Sequence, residues 1–222
     1  MISSILLKEW LKLKYLFAGV LVLNIGVCLK IYFDIRGLIL SEHPEMIWYE
    51  AIHLHNVFFK DFMFFPLVTG LVLAAAQFVP EIIRRRMRIS LHLPLHRDLL
   101  ILLSVVTGLF FFMVAVGISV VLVYSTMRSW FPLEVSMTVL TTMGPWILAG
   151  ILGYLGGMAV LLEPLKTRKV FLTIVFSVII SVMYMGVGYG WMSPAMPYLV
   201  WLVPLFLFCV FNSGQRFQQR GA

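Results

Sequence analysis

The sequence predicts an all-α polytopic membrane protein. Six transmembrane helices are expected, with an N-terminal interfacial helix and a cytoplasmic coupling helix between spans two and three. Three observations predict this class. Of the 222 residues 61% are hydrophobic and 12% charged, with a mean hydropathy of +0.99, whereas a soluble domain carries about 25% charged residues. The charged residues are bunched and leave long uncharged gaps, which hold the roughly 20 apolar residues that a spanning helix needs. In lipid, backbone N–H and C=O groups must pair within the segment, so apolar runs of this length become helices. An ordinary soluble enzyme, a disordered chain and a nucleic-acid-binding domain are excluded, and two cysteines, Cys28 and Cys209, make no disulfide framework.

Taken in order, residues 1–14 place Leu6, Leu7, Trp10, Leu11 and Leu13 on a broad apolar face, with Lys8, Glu9 and Lys12 around the other. This predicts a helix lying in the cytoplasmic interface before span one. Spans one and two are predicted at 15–34 and 58–79, joined by an outward loop. Spans three and four follow at 99–126 and 137–162. The gap from Lys169 to Arg216 is too long for one helix and is broken by Gly186, Gly188, Gly190, Pro194 and Pro197. It predicts spans at 170–190 and 196–212 with a tight turn between them, and a tail over 213–222. The whole chain reads as one transmembrane domain, with 98–212 holding the last four spans, and no cleavable leader is read at its start.

Six crossings put both termini on one side. That side carries Lys8, Lys12, Lys14, Arg84, Arg85, Arg86, Arg88, Arg97, Lys166, Arg168, Lys169, Arg216 and Arg220, leaving Lys30, Arg36, Lys60 and Arg128 for the other. The positive-inside rule then places both termini in the cytoplasm of a plasma membrane, with a bacterial inner membrane the expected setting. The net charge of +7 reads as topology and contact with anionic lipid, not as a nucleic-acid partner.

The most informative polar segment is 80–97. Pro80 suits a helix start, Glu81 suits the positive first turn and Pro94 stops a helix. Ile83, Met87 and Leu91 recur at helical spacing, while Arg84, Arg85, Arg86 and Arg88 surround them. This predicts a short basic amphipathic helix that docks on a partner, with Glu81 at its N-terminal end.

A Lys-Glu-Trp-Leu-Lys-Leu-Lys start at 8–14, six spans and a cytoplasmic helix after span two together resemble the membrane subunits of ABC-2-type exporters. In that family a Glu opens the cytoplasmic segment, a Pro follows thirteen residues later and an Arg stands three beyond it. Glu81, Pro94 and Arg97 stand at those spacings. The chain departs from the pattern at Arg85 and Arg86, where the family often has Gly-Thr. It departs again around Ser104, where a Lys is common. The resemblance implies a second permease chain and two copies of an ATP-binding subunit, with ATP and magnesium held by that partner. It also implies a docking role for the segment from Glu81 to Arg97 and export of an apolar or amphipathic substrate. This chain has no phosphate-binding loop of the G-x-x-x-x-G-K-[ST] form; no catalytic residue, metal or cofactor of its own is expected.

The outward loop holds Glu42, His43, Glu45, Glu50, His53, His55 and Asp61 and resembles a re-entrant or interfacial helix pair. Its three histidines with acids also fit metal or haem ligation in principle, but a hydrated surface loop is the simpler reading. His92 and His96 are separated by Pro94, which breaks the helix they would need to chelate together. Gly153 and Gly157 in span four permit close helix approach, expected mainly within the chain. The alternative function is a haem- or quinone-linked membrane anchor of an electron-transfer complex. It needs axial histidines inside spans, and the predicted spans contain none.

Overall fold

Residues 2–41 form one long helix. The computed structural model describes residues 2–41, 43–83, 97–186 and 188–220. Helix α1 runs unbroken through Ile2–Ser41, so there is no separate interfacial helix over 1–14. No glycine or proline falls between Ile2 and Phe17 to bend the chain. Glu9 and Lys12 find partners on a neighbouring helix, so this segment packs against the rest of the chain.

Helix α2 covers Pro44–Ile52, with proline in the first turn and Glu45 beside the exposed amides. The connection that follows holds only a 3-10 turn at Lys60–Phe62, so the expected helix pair is one α-helix and one turn. Phe59 and Phe62 bracket that turn, and both rings are fully buried.

Helix α3 covers Phe65–Ile83, α4 Arg97–Trp130, α5 Leu133–Leu162, α6 Lys166–Val182, α7 Met196–Leu199 and α8 Leu202–Arg220. No strand occurs among the described residues, and the all-α class stands. Among the described residues five segments are long and apolar enough to cross a membrane: Leu7–Ser41, Lys60–Ile83, Leu99–Trp130, Leu133–Leu162 and Ser193–Phe217. The fifth expected span is shorter than predicted. α6 has 17 residues and ends at Val182. A turn follows in which Gly188 (φ 107°) and Gly190 (φ 58°) take left-handed conformations that L-residues resist. α1 and α4 run past both predicted limits, because a gap between charges marks the apolar stretch, while backbone hydrogen bonding continues into the polar flanks. α3 instead begins at Phe65, inside its predicted start, after the turn at Lys60–Phe62.

α5 is the central helix. It packs against α3, α4, α6 and α8, and most of its middle is buried. Small residues make this possible. A methyl group on Gly70 of α3 would lie 2.2 Å from the Gly150 carbonyl oxygen of α5, so the two backbones touch there. Gly153 faces Leu67, and Gly157 faces Leu71 and Ala74, so both expected close approaches are made within the chain. Pro145 lies inside α5, as Pro80 does inside α3.

Two apolar cores stack along the bundle. One joins Leu13, Phe78, Phe112, Leu152, Leu155 and Phe206; the other joins Ile31, Ile35, Phe59, Met127, Met143 and Trp146. The start of α1, the end of α3, the start of α4, the end of α5 and the end of α8 share one end of the bundle, here called the terminal end. The connections at 43–64 and 183–195 lie at the opposite, loop end, where the Tyr189 hydroxyl donates to the Asn56 carbonyl at 2.7 Å.

Candidate functional site

At the terminal end, polar groups that the sequence scatters over four helices converge in the apolar interior. Lys12 of α1 donates to Glu9 Oε1 at 2.9 Å, to Glu81 Oε1 at 3.0 Å and to the Gln77 carbonyl at 3.1 Å. Lys8 pairs with the same Glu81 oxygen at 2.8 Å. Gln77 Nε2 donates both to Glu9 Oε2 at 2.9 Å and to the Ser104 carbonyl at 2.8 Å. The Tyr154 hydroxyl of α5 donates to Gln77 Oε1 at 2.8 Å. Glu9 is 2% exposed, Gln77 1% and Tyr154 0%.

The arrangement is balanced. Two ammonium groups face two carboxylates, and Gln77 uses its amide as both donor and acceptor to join α1, α4 and α5. Buried charges persist only when paired and hydrogen-bonded, and here every ion has a partner of opposite sign. Gly108 of α4 is required by this geometry, since a methyl group there would lie 2.0 Å from the Tyr154 oxygen and 2.6 Å from Gln77 Oε1. Pro80 contributes no N–H to the helix ladder, and the Lys12 ammonium reaches the Gln77 carbonyl in the same turn.

Glu81 therefore stands elsewhere than expected. It does not open a new helix; it lies in the last turn of α3, which continues through Pro80 to Ile83. Its carboxylate is turned inward to α1, held by two lysines whose attraction outweighs the weak N-terminal helix field it was expected to occupy. Ile83 ends α3 and is exposed. Arg97 stands at the first position of α4. Arg84, Arg85, Arg86, Met87, Arg88, Leu91 and Pro94 lie outside the described residues.

A second buried carboxylate closes the other side of this end. Glu163, just after α5, is 2% exposed; Ser213 of α8 donates to it at 3.3 Å and Arg216 approaches to 3.9 Å. At the loop end Lys30 pairs with Asp61 and, at 3.9 Å, with Asp34. His43 precedes α2, His53 caps its end and His55 takes a positive φ of 51° in the connection. Among the described residues no three His, Cys, Asp or Glu side chains converge as a metal site.

Sequence reading gave Glu81 a role and placed Lys12 on a polar face, but assigned no role to Gln77, Tyr154, Ser104 or Gly108. A usable signal existed for one of them: Gln77 is the single amide side chain in the otherwise apolar run from Phe62 to Val79. Tyr154 and Gly108 carry no such mark, because tyrosine and glycine are ordinary in spanning helices. Comparison with known proteins gives no match to a family profile, to a curated protein or to a solved structure.

Proposed function

We propose that this chain is the transmembrane, or permease, subunit of an ATP-driven ABC exporter of the ABC-2 type. Two such chains pair with two ATP-binding subunits, and the cargo is apolar or amphipathic. In this reading α6 is the fifth of six crossings. Its 17 residues reach about 26 Å, close to the hydrocarbon thickness of about 30 Å, and the terminal end with its cluster of basic residues faces the cytoplasm of the plasma membrane.

The observation that carries the proposal is the position of Glu81. It lies three residues before the arginine-rich segment and is locked to α1 by Lys8 and Lys12. Through Lys12, Glu9 and Gln77 the same lock reaches α4 and, by Tyr154, the central α5. A pull on residues 84–97 by an ATPase would then be passed to three spanning helices at once. Loose loops do not transmit force; a buried network of short hydrogen bonds does. ATP binding in the partner shifts the balance between two arrangements of the spans, and Ile83, Met87 and Leu91 form the apolar ridge that enters the partner's groove.

The test is purification from native membrane in mild detergent. An ATP-binding subunit should co-purify with the parent chain. Met87→Asp should reduce cargo-stimulated ATP hydrolysis, and Arg85→Glu with Arg86→Glu should weaken assembly in a salt-dependent way. Recovery of the chain without any ATPase, or unaltered assembly and hydrolysis in both variants, would overturn the proposal.

A further inference from the structure

α6 is loosely held along its length. Of its 17 residues only Phe176 and Ile180 are buried, and Phe176 meets Phe206 of α8 with ring centroids 4.3 Å apart. It packs along α5, while toward α3 a cleft of about 360 Å³ separates Leu67 and Leu71 from Ser177 and Ile180. The hydroxyls of Thr173, Ser177 and Ser181 on that side donate to carbonyls of α6 itself at 2.7–2.8 Å, so none of them bonds to α3. An element with few buried contacts parts from its neighbours before the core does.

The two ends of α6 are fastened differently. At the terminal end it leaves α5 through residues 163–165, where Glu163 and Leu165 are extended, with ψ 122° and 121°. Glu163 is buried and accepts a hydrogen bond from Ser213 at 3.3 Å. A short extended link with one anchored residue is the kind of segment that absorbs the dihedral change of a hinge. At the loop end Tyr184, just past α6, stacks on Phe64, just before α3, with centroids 5.0 Å apart. The Tyr189 hydroxyl donates to the Asn56 carbonyl at 2.7 Å, and the Tyr189 ring lies 6.2 Å from that of His55, whose backbone is left-handed (φ 51°). These contacts tie α6 to the connection that leads into α3. A separate bond ties it to α5: the Gly190 N–H donates to Thr142 Oγ1 at 3.0 Å.

The cost of holding one residue other than glycine in left-handed backbone is of the same order as the net gain from one hydrogen bond. The fastening at His55 and Asn56 therefore stands near balance. The bond to Thr142 carries no such load, because Gly190 takes its left-handed backbone (φ 58°) freely. We propose that α6 is a hinged gate. Residues 163–165 are its hinge and Tyr184 and Tyr189 its latch, and release of the latch lets the loop end of α6 swing away from α3 while it stays on α5. The swing widens the cleft from the lipid side down to its floor at Gly153 and Gly157. The proposal does not rest on the exporter reading and needs only that α6 lies in a bilayer.

The experiment places the full chain in nanodiscs, with Cys28→Ala and Cys209→Ala removing the native thiols, and reads distances between pairs of nitroxide labels by double electron–electron resonance. Val68→Cys with Val178→Cys reports the latch end of the cleft, and Ile83→Cys with Val170→Cys the hinge end; all four positions are exposed. The latch end should show a major short distance and a minor longer one, and the hinge end a single distance. Tyr189→Phe, which removes one hydroxyl and keeps the ring, should raise the ratio of longer to shorter distance about fivefold at the latch end and leave the hinge end unchanged. Phe64→Ala, at an exposed ring, should shift the latch end in the same direction and decides the question if Tyr189→Phe folds poorly. A latch-end distribution that neither variant moves, or equal broadening at both ends, would overturn the proposal.

Discussion

Glu81 shows how a single residue changes meaning once its neighbours are in place. In the sequence it stands beside a proline and four arginines, and its ordinary reading is a carboxylate at a helix start. In the fold it faces Lys8 and Lys12 in a mostly apolar setting. Leaving a buried ion wholly unpaired costs about 3–5 kcal/mol. Here Lys12 keeps Glu9 when Glu81 is lost, and Glu81 keeps Lys8 when Lys12 is lost, so each single loss costs less than that. We therefore expect Glu81→Ala to lower the thermal midpoint in detergent clearly, and Lys12→Ala to do the same because Glu9 and Glu81 both lose an ammonium. The double variant Glu81→Ala/Lys12→Ala should be less destabilised than the two single effects added together, as coupled neighbours require. Strict additivity in a thermal-shift series would show that the pair does not hold the end of α3 to α1.

At the scale of elements, the crossing of α3 over α5 decides the architecture. Helices in lipid gain little from apolar contact alone and associate where backbones can approach. Gly70 and Gly150 give that approach: a Cβ on Gly70 would overlap the Gly150 carbonyl, which cannot swing aside as a flexible side chain would. Gly70→Ala should thus cost about 1–3 kcal/mol, as overpacking does. Gly26→Ala on α1, where a methyl would meet nothing within 4 Å, should stay within about 0.5 kcal/mol of the parent. Unfolding monitored by circular dichroism in mixed micelles separates the two; equal stability of both variants would show that the helices part easily at Gly70. The glycines of α5 were legible in the sequence as packing positions, because few other residues allow such contact. Which helix they meet was not, since Gly70 and Gly150 are 80 positions apart and nothing local pairs them.

For the whole molecule, the arrangement of charges makes its own prediction. If the terminal end faces the cytoplasm, a fluorescent protein fused after Ala222 should fold and shine. Alkaline phosphatase inserted in the 53–57 connection should be active, because that connection would be exported. The opposite pattern would reverse the orientation and place the basic residues outside. Composition and the spacing of charges determine, by themselves, that this chain is helical and apolar enough to span a membrane, because unpaired backbone is too costly in lipid for any other answer. They place both ends of α4 and α5 to within four residues, while α1 runs far past both expected limits and α3 starts seven residues late. Only the tertiary structure decides that residues 2–41 are one helix, that Glu81 turns inward and that Gln77 and Tyr154 complete a network with Glu9 and Lys12. Helix formation follows from local sequence and solvent, whereas the partner of a buried polar side chain is set by which helices lie beside it, and that is a property of packing across the whole chain.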